Sequence, residues 1–176
     1  RDTFREMGHA SARGRFAHVY LNGLYWGIYN VAERPDATFA AAHEGGQRDG
    51  YDSLKAGRAS SGDRAAWDDI MARLNRGITN ASAYAEVARR VDLTNLVDFL
   101  ILNFYGANDD WDRSSNWYAA RSRPDGRLHF FVWDAERSLE EVNDNRLAFD
   151  DDDSPPHFFQ KLRDVPEFRT LFATRA

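Results

Sequence analysis

Between Asp92 and Gly106 the apolar residues Leu93, Leu96, Val97, Leu100, Ile101 and Phe104 recur at intervals of three and four, the spacing that lines one face of an α-helix. Asp92 stands where such a helix needs a side-chain oxygen for its first free N–H groups. Burying six side chains of this kind, at about 1.5 to 3 kcal/mol each, makes the segment the spine around which a core must form. A chain of 176 residues, 43% apolar and 14% aromatic, can supply that core within one domain, and disordered or fibrous classes are excluded.

Two β-hairpins flank the helical part. Phe16 to Leu21 and Leu24 to Val31 are rich in aromatic and β-branched residues and are joined by Asn22-Gly23, a pair that accepts the positive φ of a tight primed turn. Trp117 to Ser122 and Leu128 to Trp133 form the second pair, around Pro124-Asp125-Gly126. Arg34-Pro35-Asp36 breaks the first hairpin's second strand, and the glycines 45, 46 and 50 mark a loop before a short Tyr51 to Lys55 segment. Helices are predicted from Ser60 to Asn75, with Ser60 or Ser61 as cap, and from Asn80 to about Arg90. Two more follow Pro155-Pro156, at His157 to Asp164 and Glu167 to Arg175, the last continuing beyond Ala176. No internal repeat or linker divides the chain, so the expected fold class is α+β in a single unit.

The second hairpin predicts a site. Asn116 and Asp134 each lie nine residues from Asp125, so a turn centred there would oppose them directly, with Cβ atoms about 4.5 to 5.5 Å apart on one face unless a bulge shifts the ladder. The loop carrying Asp109, Asp110 and Asp112 arrives at the same open end. Hard oxygen donors from two segments suit Mg²⁺, which takes one or two carboxylates together with substrate phosphates. The competing account is that these Asp and Asn residues only satisfy turns and caps. An EF-hand is excluded, because Ser115 and Arg121 occupy the positions that need Gly and Glu.

Charge and composition narrow the partners. Nine acids against Arg137 and Arg146 crowd Asp134 to Asp153, so the net charge of −5 is local, and no basic stripe supports nucleic-acid binding. The run Asp150 to Asp153 is expected to be a solvated loop, and the five histidines show no ligand spacing that points to zinc. The chain lacks cysteine, has no apolar run long enough to span a bilayer, and starts without an initiator Met or signal-like stretch, as an excised piece would.

The stretches VYLNGLYWGIYNVAERPD from Val19, YDSLKAG from Tyr51, NDDWDRSSNWYAARS, FFVWDAERSLE and HFFQKLRDVPEFRTLF together resemble the CotH family of spore-coat-type atypical kinases and their secreted bacterial relatives. The resemblance spans nearly the whole chain. It implies an atypical protein-kinase-like fold, with two β-hairpins and a helical portion like a kinase C-lobe, truncated at both ends and with an incomplete N-lobe, whose glycine-rich loop and phosphate-binding Lys would precede Arg1. Matched by position, Asp110 takes the catalytic role, Asn116 and Asp134 hold the metal, and Glu33 and Lys55 are candidates for the nucleotide. Glu33 pairing with Arg34 or Arg58 and a solvated Lys55 are the structural alternatives. Six residues separate Asp110 from Asn116 where kinases have five, which leaves Asp112 as a second candidate base. Glu136, two residues past Asp134, would support that carboxylate if the chain stays extended.

The resemblance implies ATP with Mg²⁺ or Mn²⁺ as cofactors, a protein substrate with Ser or Thr hydroxyls, and a secreted, cell-surface or spore-surface location. Two other functions are open from the sequence: a non-catalytic surface or adhesion module using the same carboxylates for structural Ca²⁺, and a pseudokinase that binds nucleotide without turnover.

Overall fold

In the computed structural model, which describes residues 1–112 and 114–176, the helix expected after Asp92 is α5. In chain order the elements are α1 (Asp2–Glu6), β1 (Gly14–Leu21), β2 (Leu24–Ala32), α2 (Ala37–Glu44), β3 (Tyr51–Lys55), β4 (Arg58–Ser61), α3 (Ala65–Arg76), α4 (Ala81–Ala88), α5 (Leu93–Tyr105), β5 (Trp117–Ser122), β6 (His129–Val132), α6 (Pro155–Leu162) and α7 (Pro166–Arg175). The fold is α+β, with two antiparallel sheets: a ribbon of β1 and β2, and a four-stranded sheet in the order β4-β3-β5-β6.

Both faces of the four-stranded sheet are covered. Leu54, Trp117, Ala119, Phe130 and Val132 point into the larger core, against α3, α5, α6 and α7, while Tyr51, Tyr118, Ala120 and Phe131 meet Phe39 and Ala40 of α2 on the other side. The period-two alternation along β5 therefore sorts its side chains into two cores. Within α5, Leu93, Leu96, Val97 and Leu100 are buried as predicted, with Ile101 and Phe104 packed at the edge of the same core. Asp92 accepts from the N–H groups of Thr94 and Asn95 at 3.1 and 3.0 Å, closing the helix start.

The ribbon forms as its turn requires, with Asn22 at φ 51° and Gly23 at φ 82°. A bulge between Val19 and Tyr20 leaves Trp26 as the extra residue. Phe16, Tyr20, Leu24, Trp26 and Ile28 are exposed, so the ribbon stands away from the body.

Three local expectations are corrected. Ser60 and Ser61 are not a helix cap: they belong to β4, which returns through a turn with positive φ at Ala56 and Gly57 to pair with β3, and α3 starts only at Ala65, where Asp63 Oδ1 accepts the Ala65 N–H at 2.8 Å. Asp36, placed in a chain break, instead caps α2 by accepting from Thr38 and Phe39. Pro155 opens α6 and Pro166 opens α7, each at the first turn, where a missing N–H costs nothing. Among the described residues no helix is long and apolar enough to cross a membrane.

Candidate functional site

The loop that leaves α5 is held by a chain of buried amides. Asn103, on the last turns of the helix, donates to the Phe99 carbonyl at 2.8 Å, and its Oδ1 accepts from Asn108 Nδ2 at 2.8 Å. Asn108 Oδ1 in turn accepts the Asp110 N–H at 3.2 Å. Asn103 and Asn108 are both buried, so the backbone at Asp110 is tied to the spine of the domain through groups that water does not reach. Trp111 anchors the next step: it is fully buried against Phe99 and Phe104, with ring centroids 5.7 and 5.3 Å away.

Past Trp111 the loop folds on itself. Asp112 Oδ1 accepts from both the N–H and the hydroxyl of Ser114, and the Asp112 carbonyl accepts from Trp117 Nε1 at 2.6 Å. Asp110 meets the far end of the loop instead: Asn116 Nδ2 donates to its Oδ2 at 2.7 Å, and the Ser115 hydroxyl donates to its Oδ1 by a short bond. Asp110 and Asn116 are thus brought together, whereas the Asp112 oxygen at Ser114 is spent on the turn.

The register of the second hairpin differs from the expectation by one residue. Trp117 pairs with Val132 and Ala120 with His129, so the ladder is centred between Pro124 and Asp125, not on Asp125. The reason lies in the connection. A turn closed by the Gly126 N–H on the Ser122 carbonyl at 2.9 Å joins the strands, and beyond it Leu128 donates its N–H to the Arg90 carbonyl and accepts from the Asp92 N–H, which ties the returning chain to the start of α5. Asn116 and Asp134 consequently flank the ladder without being directly opposed. Both adopt positive φ, 57° and 50°, a conformation that Asn and Asp tolerate and that ends the pleat. Glu136 likewise lies beyond the strand, so the predicted same-side alternation with Asp134 does not apply.

Three strands nevertheless end together here. Lys55 is the last residue of β3 and pairs with Tyr118, the second of β5, while Val132 closes β6 two residues before Asp134. The exposed Lys55 holds its Nζ 6.0 Å from the Tyr118 ring centroid, and Arg34 lies 5.9 Å above the same ring while donating to the Tyr118 hydroxyl at 2.9 Å. Trp133, next to Asp134, packs edge-on to Tyr118 at 5.6 Å. Lys55, Asn116 and Asp134 therefore share one end of the sheet, with Arg34 beside them.

Glu33 sits at the foot of the ribbon, and its ion pair is not the expected one. Its Oε2 accepts the Arg13 N–H at 2.8 Å and lies 3.7 Å from His43 Nε2, so it fastens the base of the ribbon and pairs with neither Arg34 nor Arg58. Asp109 is paired instead with Arg137 and Arg146, at 3.0 and 3.5 Å. The two arginines of the acidic tract thus fold that tract back onto the loop.

The residues present fit a hard divalent cation. Asn116 turns its amide nitrogen to Asp110, which leaves its oxygen as a donor, and Asp134 adds an exposed carboxylate at the same strand ends. Amide and carboxylate oxygens with room for phosphate are what Mg²⁺ and Mn²⁺ accept. Asn103, Asn108, Ser115 and the Arg34–Tyr118 pair were not anticipated. Asn103 falls on the buried side of the α5 pattern, a signal that was available, whereas nothing in the spacing distinguishes Asn108.

No curated protein sequence matches the chain. The family described as CotH kinase protein, however, matches it from residue 1 to residue 176. The chain, α+β in fold, belongs to the CotH kinase protein family.

Proposed function

We propose that the protein transfers the γ-phosphoryl group of ATP to a Ser or Thr hydroxyl of a protein, with Mg²⁺ or Mn²⁺, and that Asp110, Asn116 and Asp134 form the reacting centre. The observation that carries this reading is the 2.7 Å bond from Asn116 to Asp110 at the strand ends that also bear Asp134 and Lys55. Asp110 serves as the base that orients and deprotonates the attacking hydroxyl. Its second oxygen is held by Ser115 and its backbone by Asn108, which restricts the carboxylate to one pose. Asn116 oxygen and the Asp134 carboxylate would hold the metal, which neutralises phosphate charge when bound. Lys55 and Arg34 supply positive charge on the same side of the sheet, suited to phosphate oxygens. A secreted or surface location belongs to the same proposal, as does a coat or surface protein as substrate.

The test separates the two carboxylates. Asp134→Ala should weaken metal-dependent ATP binding, measured by titration calorimetry with Mg²⁺ and Mn²⁺. Asp110→Asn should leave that binding nearly intact while slowing phosphoryl transfer by about 10² to 10⁴-fold, because an amide cannot take the proton. Asp112→Asn is the control for the longer loop and should change neither. Unaltered ATP affinity and turnover in both the Asp110 and Asp134 variants would refute the kinase centre and favour a structural Ca²⁺ module. Nucleotide binding without any turnover in the unaltered protein would identify a pseudokinase.

A further inference from the structure

His157, the third residue of α6, is only 2% exposed, yet both of its ring nitrogens face oxygen. Nε2 lies 2.8 Å from Asn75 Oδ1, at the end of α3. Nδ1 lies 2.8 Å from Asp150 Oδ1 and 3.5 Å from Asp152 Oδ1. When Nε2–H donates to the amide oxygen of Asn75, Nδ1 carries a lone pair and points it at two carboxylates. Three electron-rich atoms then face one another, all within 4.8 Å, and the arrangement calls for a positive centre between them. Among the described residues, the ion pairs of Asp150 and Asp152 are with His157 alone.

The strap that presents these carboxylates is pinned from outside the cluster. Gln160 Nε2 donates to the carbonyls of Leu147 and Phe149, each at 2.9 Å, on one side. On the other, Asp153 is gripped by Arg64 Nη2 at 2.9 Å and by the indole N–H of Trp67. The loop expected to be merely solvated is therefore fixed against α3 and α6, and an acceptor, Asn75 Oδ1, faces the far nitrogen of the buried imidazole. That is the support that a metal-bound histidine usually receives on its far nitrogen.

We propose that Asp150, Asp152 and His157 form a zinc site distinct from the Asp110 and Asp134 centre, with one oxygen from each carboxylate, Nδ1 of the imidazole and solvent completing four positions. Zinc is chosen over Mg²⁺ or Ca²⁺ because one donor is an imidazole, and over a lone proton because two carboxylates are balanced by a divalent ion and not by a single positive charge. Its effect is structural: it ties the strap of residues 147 to 154 to α6 and, through Asn75, to α3.

The test uses the whole chain, freed of metal with a chelator and titrated with zinc alone. One equivalent is expected to bind, to raise the melting temperature reversibly, and to shift the ¹⁵N resonances of one histidine ring in step with occupancy. Asp152 has a side chain 85% exposed, so Asp152→Asn should fold normally, as should Asp150→Asn; each should weaken zinc at least about tenfold. Asp134→Ala should leave zinc affinity unchanged, which separates this site from the proposed nucleotide centre. The proposal is overturned by failure to take up one equivalent, by uptake that moves no histidine resonance, or by uptake that survives in the Asp150→Asn, Asp152→Asn double variant. In each of those cases a proton on Nδ1 is the positive centre.

Discussion

Asn108→Ala tests whether the amide chain from α5 positions the reacting loop. The substitution removes two hydrogen bonds, one to Asn103 Oδ1 at 2.8 Å and one from the Asp110 N–H at 3.2 Å. Asn103 is buried, and an unsatisfied buried acceptor costs about 1 to 3 kcal/mol; the partly buried Asp110 N–H, which can recover water, adds about 0.5 to 1.5 kcal/mol. The expected loss is therefore about 1.5 to 4.5 kcal/mol, or about 3 to 18 °C in melting temperature for a chain of this length. Differential scanning calorimetry measures the stability, and phosphoryl transfer with saturating ATP measures the effect on Asp110. Turnover should fall more than ATP affinity, since the relay reaches Asp110 and does not touch Asp134. Asn103→Ala combined with Asn108→Ala should cost less than the two single changes together, because the two residues share one bond. A melting temperature within about 1 °C of the parent, with turnover unchanged, would refute the positioning argument.

Leu100→Ala should cost about 2 to 5 kcal/mol in chemical denaturation, because Leu100 is fully buried at the centre of the α5 stripe. Gly62→Ala should destabilise by at least about 1 to 3 kcal/mol, since Gly62 has φ +65° and an added Cβ would stand 2.2 Å from Asp52 Oδ1 and 3.0 Å from the Tyr51 carbonyl. Hydrogen bonds from Arg73 and then Arg90 hold the Asp69 carboxyl below its ordinary range against the opposing effect of burial. The stabilisation is present above the unfolded carboxylate range and is lost as pH falls through the lowered folded value, so Asp69→Asn should reduce the melting temperature at pH 7 and converge with the parent in acid.

The parts of the fold that were legible in the sequence are those where one local signal had no rival. Asn22-Gly23 fits a primed turn and little else, and the α5 stripe is too long to be a strand. Asn80 and Asp92 also cap the helices predicted for them, accepting from Ala83 and from Thr94 and Asn95. The misreadings occur where a residue type has two uses. Ser60 and Ser61 are good helix caps and equally good residues for an edge strand; the Ser60 hydroxyl is in fact bonded across to Ser53, at 2.7 Å from its hydroxyl. Asp36 follows a proline and so resembles a break, but the same position lets it cap α2, whose Ala-rich sequence gives no strong apolar stripe to announce it.

For the candidate site, the order Asp110, Asn116, Asp134 was visible because it is a property of the chain, whereas the contacts depend on how the chain is turned. Counting residues about Asp125 presumed a tight, symmetric turn. The ladder stands one residue from that count, and the bonds that tie Leu128 to Arg90 and Asp92, across 36 or more residues, could not be seen from the hairpin alone. The positive φ at Asn116 and Asp134 then releases both side chains from strand alternation, so neither the presence nor the absence of a period-two match bears on whether they meet. What positions Asp110 is instead an amide relay in which Asn103 and Asn108 replace apolar residues inside the core. Such residues break the hydrophobic pattern, and a buried amide is tolerated only where every polar atom it carries has somewhere to go. An Asn on the buried side of a strongly apolar helix is therefore a pointer to the loop that satisfies it, and in this chain that loop carries Asp110.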